Sequence, residues 1–233
     1  MFDQTQSFAR IESNEQTAAF FRRVYAWMSI GLFLTGIISM AVASSESLVS
    51  MIFGTPLFWV LFLGQLGLVF WLSSRVQNMS PQVATAAFLG YAALNGLTLS
   101  VIFLAYTMSS IAQVFFITGG TFGFMTLWGM TTKKDLSSLG QIAFAALIGL
   151  IIASVVNMFF QNSMIYWITS YAGVLIFMAL TAWDTQKLKQ ISYEVDVNTA
   201  AGHNVAIIGA LTLYLDFINL FIFLLRIFGG NKD

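Results

Sequence analysis

The sequence predicts an all-α, polytopic membrane protein with seven transmembrane helices. Of its 233 residues, 58% are hydrophobic and only 9% are charged, whereas an ordinary soluble domain carries about 25% charged residues. The apolar residues fall into seven runs, each close to the roughly 20 residues that cross a hydrocarbon core about 30 Å thick. Continuous runs of this kind, without a ten-residue alternation, exclude an outer-membrane barrel.

The predicted spans share a long apolar run and polar residues at both ends. In chain order they are residues 24–43, 57–73, 82–106, 111–130, 139–160, 165–183 and 205–228. They form a single domain, 24–228, between a polar amino-terminal segment, 1–23, and a short tail, 229–233.

Local signals justify each span in order. The first follows Arg22 and Arg23 and lacks a small-residue cleavage site, which predicts an uncleaved helix and not a signal peptide. The second and third begin just after Pro56 and Pro81, where a first-turn proline loses no helix hydrogen bond. The joint after the fourth span carries two lysines, and the polar stretch 187–204 separates the last two spans. Most of the six tryptophans lie near span ends, as in an interfacial belt.

The basic residues predict the orientation. With seven spans, eight of them lie on the amino-terminal side of the membrane and two on the other, which by the positive-inside rule predicts a cytoplasmic amino terminus and a periplasmic or extracellular carboxyl terminus. The eight are Arg10, Arg22, Arg23, Arg75, Lys133, Lys134, Lys187 and Lys189, and the two are Arg226 and Lys232.

Composition also limits the partners. The net charge is zero and there is no cysteine, so nothing indicates a nucleic acid, and disulfides, thiolate metal sites and cysteine nucleophiles are excluded. Membrane lipid is the expected environment.

Two aspartates carry the functional hypothesis. Asp184 follows the sixth apolar run and Asp216 lies in the middle of the seventh. A carboxylate near the centre of a membrane helix costs about 2.5 to 3.5 kcal/mol on insertion scales, so it indicates a function. The two are symmetric about Ala200, close to the tip of the hairpin. Antiparallel helices would therefore bring them to similar depth, where such a pair titrates as a unit and shares one proton.

A polar seam runs along the last span. Its residues are spaced alternately three and four apart, which keeps them on one face of a helix. They are Gly209, Thr212, Asp216, Asn219, Phe223 and Arg226. A seam of this kind facing neighbouring helices would line a route for an ion.

Three segments resemble a known family. Residues 178–188 (MALTAWDTQKL), 131–137 (TTKKDLS) and 213–221 (LYLDFINLF) are similar to the Bax inhibitor-1 family in its bacterial branch, and the resemblance covers the chain from Phe20 onward. It implies a bacterial inner membrane protein in which six helices surround a central seventh. It also implies a pH-sensitive calcium leak, with the family's hydrogen-bonded aspartate pair matching Asp184 and Asp216.

The resemblance extends to a basic residue that engages the pair in some members. Arg75 is the candidate for it here, as support for the gate. Other members carry a carboxylate inside the second helix, where this chain has Gln65 as its nearest polar residue.

The resulting hypothesis is a passive cation pathway with calcium as the permeant ion and no cofactor. Asp184 and Asp216, with Thr181, Thr212 or Asn219, would supply the oxygen ligands of a weak, transient Ca²⁺ site. Loss of the shared proton would make the two aspartates repel each other and favour opening.

Three other functions are alternatives to this hypothesis. Membrane aspartates also act as proton relays, which would make the chain a proton-coupled cation exchanger. A non-conducting regulator that binds other membrane proteins is the second. The third is an intramembrane aspartyl protease, whose glycine-framed motif is absent because Tyr214 and Leu215 precede Asp216. We therefore expect no enzymatic activity.

Overall fold

The computed structural model describes residues 2–230 and 232, with side chains from Glu15 onward. Arg10, residues 231 and 233 of the predicted tail and most of the predicted segment 1–23 lie outside the described side chains. Within the described part the chain is almost wholly helical, which confirms the predicted all-α class. The helices are α1 (Phe2–Ala43), α2 (Glu46–Phe53), α3 (Leu57–Arg75), α4 (Pro81–Ala105), α5 (Met108–Thr131), α6 (Ser137–Phe160), α7 (Ser163–Ser192) and α8 (Ala200–Phe228).

Seven helices of the described chain are long and apolar enough to cross a membrane, as the sequence predicts. They are all of these except α2, which has eight residues. In α8, 72% of the most apolar stretch is buried, the largest share among the seven. This share is what we expect of the helix that the resemblance places at the centre.

Three helices extend well beyond their predicted ends. The first is α1, which begins at Phe2 although the predicted first span begins at residue 24. The predicted sixth span stops at Trp183, but α7 continues to Ser192. Similarly, α8 begins at Ala200 and not at residue 205. The sequence hides the extension of α7 because its last turns are polar, yet Thr185, Leu188 and Ser192 are buried there. The continuing helix is amphipathic, so hydropathy alone ends it too early.

The short helix α2 has no counterpart among the predicted spans. Its first turn is capped by Ser45, whose hydroxyl accepts a hydrogen bond from the Leu48 amide at 3.4 Å. Ile52 is its one buried residue, whereas Leu48 and Met51 are exposed. Eight residues are too few to cross a bilayer, which is why a search for spans passes over it.

The chain divides into two compact units, and the first comprises Met1–Leu104 and Lys189–Thr212. Within it α1 and α4 lie close together. The hydroxyls of Thr35 and Ser39 donate to the carbonyl oxygens of Ala92 at 2.9 Å and Gly96 at 2.8 Å. A Cβ at Gly96 would lie 2.8 Å from the Ile38 side chain, so a small residue is required for this approach of the backbones.

The second unit comprises Ala105–Leu188 and Leu213–Asp233. Glycines again mark its closest helix contacts. A Cβ at Gly129 of α5 would lie 2.3 Å from the Ala182 carbonyl oxygen of α7, and one at Gly140 of α6 would lie 2.0 Å from the Trp183 ring. α7 is therefore packed tightly against both helices just before Asp184.

Candidate functional site

An aromatic pair sets the register between α7 and α8 in the second unit. The rings of Phe177 and Phe223 stack with centroids 5.9 Å apart and an interplanar angle of 24°. Both side chains are buried. The two helices are antiparallel. A residue a given number of positions after Phe177 on α7 therefore lies level with the residue the same number of positions before Phe223 on α8.

Each of the two aspartates lies seven residues along its helix from one member of this pair. Asp184 follows Phe177 by seven positions on α7, and Asp216 precedes Phe223 by seven on α8. Seven residues make almost two full turns of an α-helix, so each aspartate projects from nearly the same face as its phenylalanine. This register sets Asp184 and Asp216 level with each other on the facing sides of α7 and α8.

Asp216 is deeply buried. Only 4% of its surface is exposed. Its Oδ2 atom is buried and has no hydrogen-bond partner among the described residues. Since an isolated buried charge is very costly, a group in this position requires a proton, a cation or another polar group to neutralise it.

Asp184 has a more open environment. It is half-buried, and Lys187 follows it one turn further along α7. The Lys187 ammonium lies 5.5 Å from the centre of the Trp183 ring. Because α7 continues two turns beyond Asp184, this aspartate is inside the helix and not at its end.

Two other predicted site residues in this unit bond to their own helices. The hydroxyl of Thr181, which is fully buried, donates to the Phe177 carbonyl oxygen at 2.7 Å. The Asn219 amide donates to the Leu215 carbonyl oxygen at 2.8 Å. Each keeps an oxygen with a free lone pair, since a hydroxyl and an amide oxygen can both accept further bonds.

Arg75 and Thr212 belong to the first unit. Arg75 is exposed in the last turn of α3, and Thr212 is half-buried on α8. The described side chains contain no group of three or more histidine, cysteine, aspartate or glutamate residues that could hold a metal ion. Any ion at the aspartate pair would therefore rely on two carboxylates and neutral oxygens.

Gln186 is a residue that the sequence analysis missed. Its Oε1 accepts a hydrogen bond from the Leu136 amide at 2.8 Å, and its Nε2 donates to the Lys134 carbonyl oxygen at 2.9 Å. It thereby fastens the turn between α5 and α6 to α7 two residues after Asp184. Two of the segments that carry the family resemblance contain these partners, but their spacing in sequence gives no sign of the contact.

Gln65, where some members of the family carry a carboxylate, is also bonded. Its Nε2 donates to the Leu94 carbonyl oxygen at 2.9 Å and to the Thr98 hydroxyl at 2.8 Å. It is buried, and the two bonds use both hydrogens of its amide nitrogen to join α3 to α4.

Comparison with known proteins identifies relatives over almost the whole chain. The family described as "Inhibitor of apoptosis-promoting Bax1" matches residues 17–233. The chain is 44% identical to "Inner membrane protein YbhL" of Escherichia coli K12 over 233 residues, 99% of each chain. It is 40% identical to an uncharacterized membrane protein of Streptococcus pyogenes serotype M1 over 215 residues, 91% of this chain and 93% of the relative.

These relatives and the seven apolar helices support a multi-pass inner membrane protein. The family match covers all seven spans, apart from the first two residues of the first span. It includes all six predicted site residues. The chain belongs to the Bax inhibitor-1 family.

Proposed function

We propose that this protein is a pH-sensitive calcium leak channel gated by Asp184 and Asp216. The observation that carries the proposal is the register of α7 and α8, which sets Asp184 and Asp216 level with each other two turns from the stacked Phe177 and Phe223. Buried acidic residues facing one another inside a membrane bundle are typical of ion pathways and proton relays.

The proposed gate works through the charge of the pair. With one proton shared between them, the two carboxyl groups hydrogen-bond and hold α7 against α8. When that proton leaves, two negative charges face each other in a medium of low dielectric constant, and their repulsion separates the helices. Calcium efflux should therefore be slow at low pH and increase as the pH rises.

The same oxygens would serve the permeant ion. Ca²⁺ prefers six to eight oxygen ligands, and the pair with Thr181 and Asn219 offers only a few. Thr212, one turn before Asp216 on α8, is a further candidate ligand. A site with so few ligands binds weakly and exchanges quickly, as conduction requires.

Calcium efflux from proteoliposomes tests the gate. We expect Asp216→Asn and Asp184→Asn each to bring the ratio of efflux at high pH to efflux at low pH close to unity. Each variant keeps only one of the two aspartates, so the pair can no longer acquire two negative charges. Glu194→Gln, an exposed carboxylate in the α7–α8 loop of the described chain, is the matched control and should keep the native ratio. Native pH dependence in both aspartate variants would contradict the gate.

The same vesicles separate the other hypotheses. Calcium uptake against its own gradient, driven by an imposed proton gradient, would identify an exchanger. Absence of flux at every pH, with a membrane protein captured from native membranes, would identify a non-conducting regulator. We expect no peptide cleavage, since the residues preceding Asp216 do not form an aspartyl protease motif.

We also propose that the amino terminus is cytoplasmic and the carboxyl terminus lies on the opposite side. The proposal rests on the distribution of lysine and arginine between the two ends of the spans. Reporter domains fused to the carboxyl terminus test it: an enzyme active only in the periplasm should be active there, and a fluorophore that matures only in the cytoplasm should be dark. The reverse pattern would refute it.

A further inference from the structure

A bulky aromatic side chain occupies the seam of α8 on the carboxyl-terminal side of the aspartate pair. Phe223 lies seven residues after Asp216, about 10 Å further along the helix, and projects from nearly the same face. Only 8% of its surface is exposed. A route that follows this seam past Asp216 and Asn219 therefore meets the Phe223 ring next.

The ring is seated in a notch on α7. A Cβ at Gly173 would lie within 2.5 to 2.7 Å of three atoms of the Phe223 ring. Phe177, one turn further along α7, stacks on the same ring. Because Gly173 has no side chain, the ring of Phe223 can lie directly against the α7 backbone.

A positive charge also lies close to the ring. The Arg226 guanidinium carbon lies 5.0 Å from the centre of the Phe223 ring and 5.8 Å from that of Tyr166. The cation–π contact with Arg226 stabilises the Phe223 ring in this position. Contacts of this kind are stronger when they are shielded from water.

We propose that Phe223, seated against Gly173 and covered by Arg226, is a second closure of the ion pathway, in series with the aspartate pair. This inference rests on the proposed function. An apolar ring across a narrow route excludes water, so a hydrated ion cannot pass until the ring moves. The guanidinium adds a repulsion that acts on cations and not on neutral solutes.

The two closures respond to different conditions. The aspartate pair is controlled by protons, whereas the Phe223 closure contains no carboxyl group. At a pH that keeps the pair closed, Phe223 protects the seam between residues 216 and 223 from the carboxyl-terminal side. Removing its ring should expose that stretch while the aspartates remain intact.

Labelling of an introduced cysteine tests this closure without any measurement of conduction. The native chain has no cysteine, so Asn219→Cys is a unique target one turn before Phe223. We would measure its rate of reaction with a cationic, membrane-impermeant methanethiosulfonate reagent present on both sides of proteoliposomes, at the pH of slowest calcium efflux. Adding Phe223→Ala should increase the rate about tenfold.

Phe221→Ala is the matched control. Phe221 is as buried as Phe223 and packs on Phe115, with ring centroids 6.3 Å apart, but it projects from a different face of α8. We expect no increase in labelling from its removal. An equal increase in both variants would indicate general loosening of the bundle and would overturn the proposal, as would labelling that is equally fast with and without Phe223.

Calcium efflux from vesicles of cysteine-free variants supplies the second measurement. Phe223→Ala should raise efflux about tenfold at high pH, where the aspartate pair is open, and leave it slow at low pH, where the pair still closes the route. Fast efflux from Phe223→Ala at low pH would contradict two closures in series. If the native protein passes no calcium at any pH, the proposed function fails, and the labelling rates still decide whether Phe223 closes the seam. If Phe223→Ala does not fold, Phe223→Leu replaces it, and unchanged labelling in that variant counts against the closure.

Discussion

Helices α6 and α8 have similar composition but opposite surroundings. The mean hydropathy of their most apolar stretches is 2.4 in α6 and 2.1 in α8, yet 11% of the stretch is buried in α6 and 72% in α8. Hydropathy reports only that a helix can lie in a membrane. Whether lipid or protein surrounds it depends on features that an average over the helix does not record.

Two features distinguish α8. It carries small residues at fully buried positions, Ala206 and Ala210, which allow neighbouring helices to come close. It also carries Asp216 and Asn219 on one face, and such polar groups avoid lipid. By contrast, α6 exposes large apolar side chains such as Ile142 and Phe159, which lipid accommodates at no cost.

The largest effect should come from truncating a buried side chain of α8. Leu213, with no exposed surface, leaves a cavity when replaced by alanine, and we expect the free energy of unfolding in detergent to fall by about 2 to 4 kcal/mol. Ile142→Ala on α6, where 68% of the side chain is exposed, should change it by less than about 0.5 kcal/mol. Similar losses in both variants would show that the burial contrast does not determine stability.

A smaller effect should separate two glycines within α6. A Cβ at Gly140 meets the Trp183 ring, whereas one at Gly149 meets nothing within 4 Å. We expect Gly140→Ala to lower the free energy of unfolding by about 1 to 3 kcal/mol through overpacking. Gly149→Ala should raise it by up to about 1 kcal/mol, because alanine favours the helix.

Thermal unfolding in one detergent compares the two glycine variants directly. The expected shifts have opposite signs, so differences in expression or detergent affect the conclusion little. A destabilised Gly149→Ala would mean that this face of α6 contacts protein and not lipid.

The smallest effect should come from the exposed turn before α6. The hydrogen bonds that Asp135 accepts from Ser137, including one from its amide at 2.9 Å, lower the pKa of Asp135 below its ordinary value of 3.8. A carboxyl group whose pKa is lower in the folded state stabilises the fold above pH 3.8 and loses that contribution as the pH falls through its folded pKa. Melting curves of Asp135→Ala should therefore lie slightly below native ones near neutral pH and merge with them in acid.

Asp135→Asn is the control for that comparison, since it keeps an acceptor oxygen without the titration. We expect its melting temperature to vary less with acid than that of the native chain. An unchanged acid dependence would assign the effect to another carboxyl group.

Much of the fold could be predicted from sequence because each span carries its own evidence. Roughly 20 apolar residues with polar ends require a membrane helix wherever they occur. Two errors lie where that evidence fails. The last turns of α7 are polar and are stabilised by burial of Leu188 and Ser192. The helix α2 is too short to be a span. The near symmetry of Asp184 and Asp216 about Ala200 could also be seen in the sequence.

The contacts around the site could not be predicted. Nothing in the sequence indicates that Gln186 bonds the turn at Lys134 and Leu136, or that Gly173 receives the ring of Phe223. Such contacts join positions far apart in the chain, and each depends on how far one helix has slid or rotated against another.

By itself the sequence determined that the chain crosses a membrane about seven times and which few polar groups must avoid lipid, because the free energy of transfer into hydrocarbon is a property of each segment alone. Tertiary structure decided which of those segments is enclosed and which groups meet, including Phe177 with Phe223 and Gln186 with the turn before α6. Helix packing sets these pairings through close fits at small residues, and that fit exists only once two surfaces are in contact.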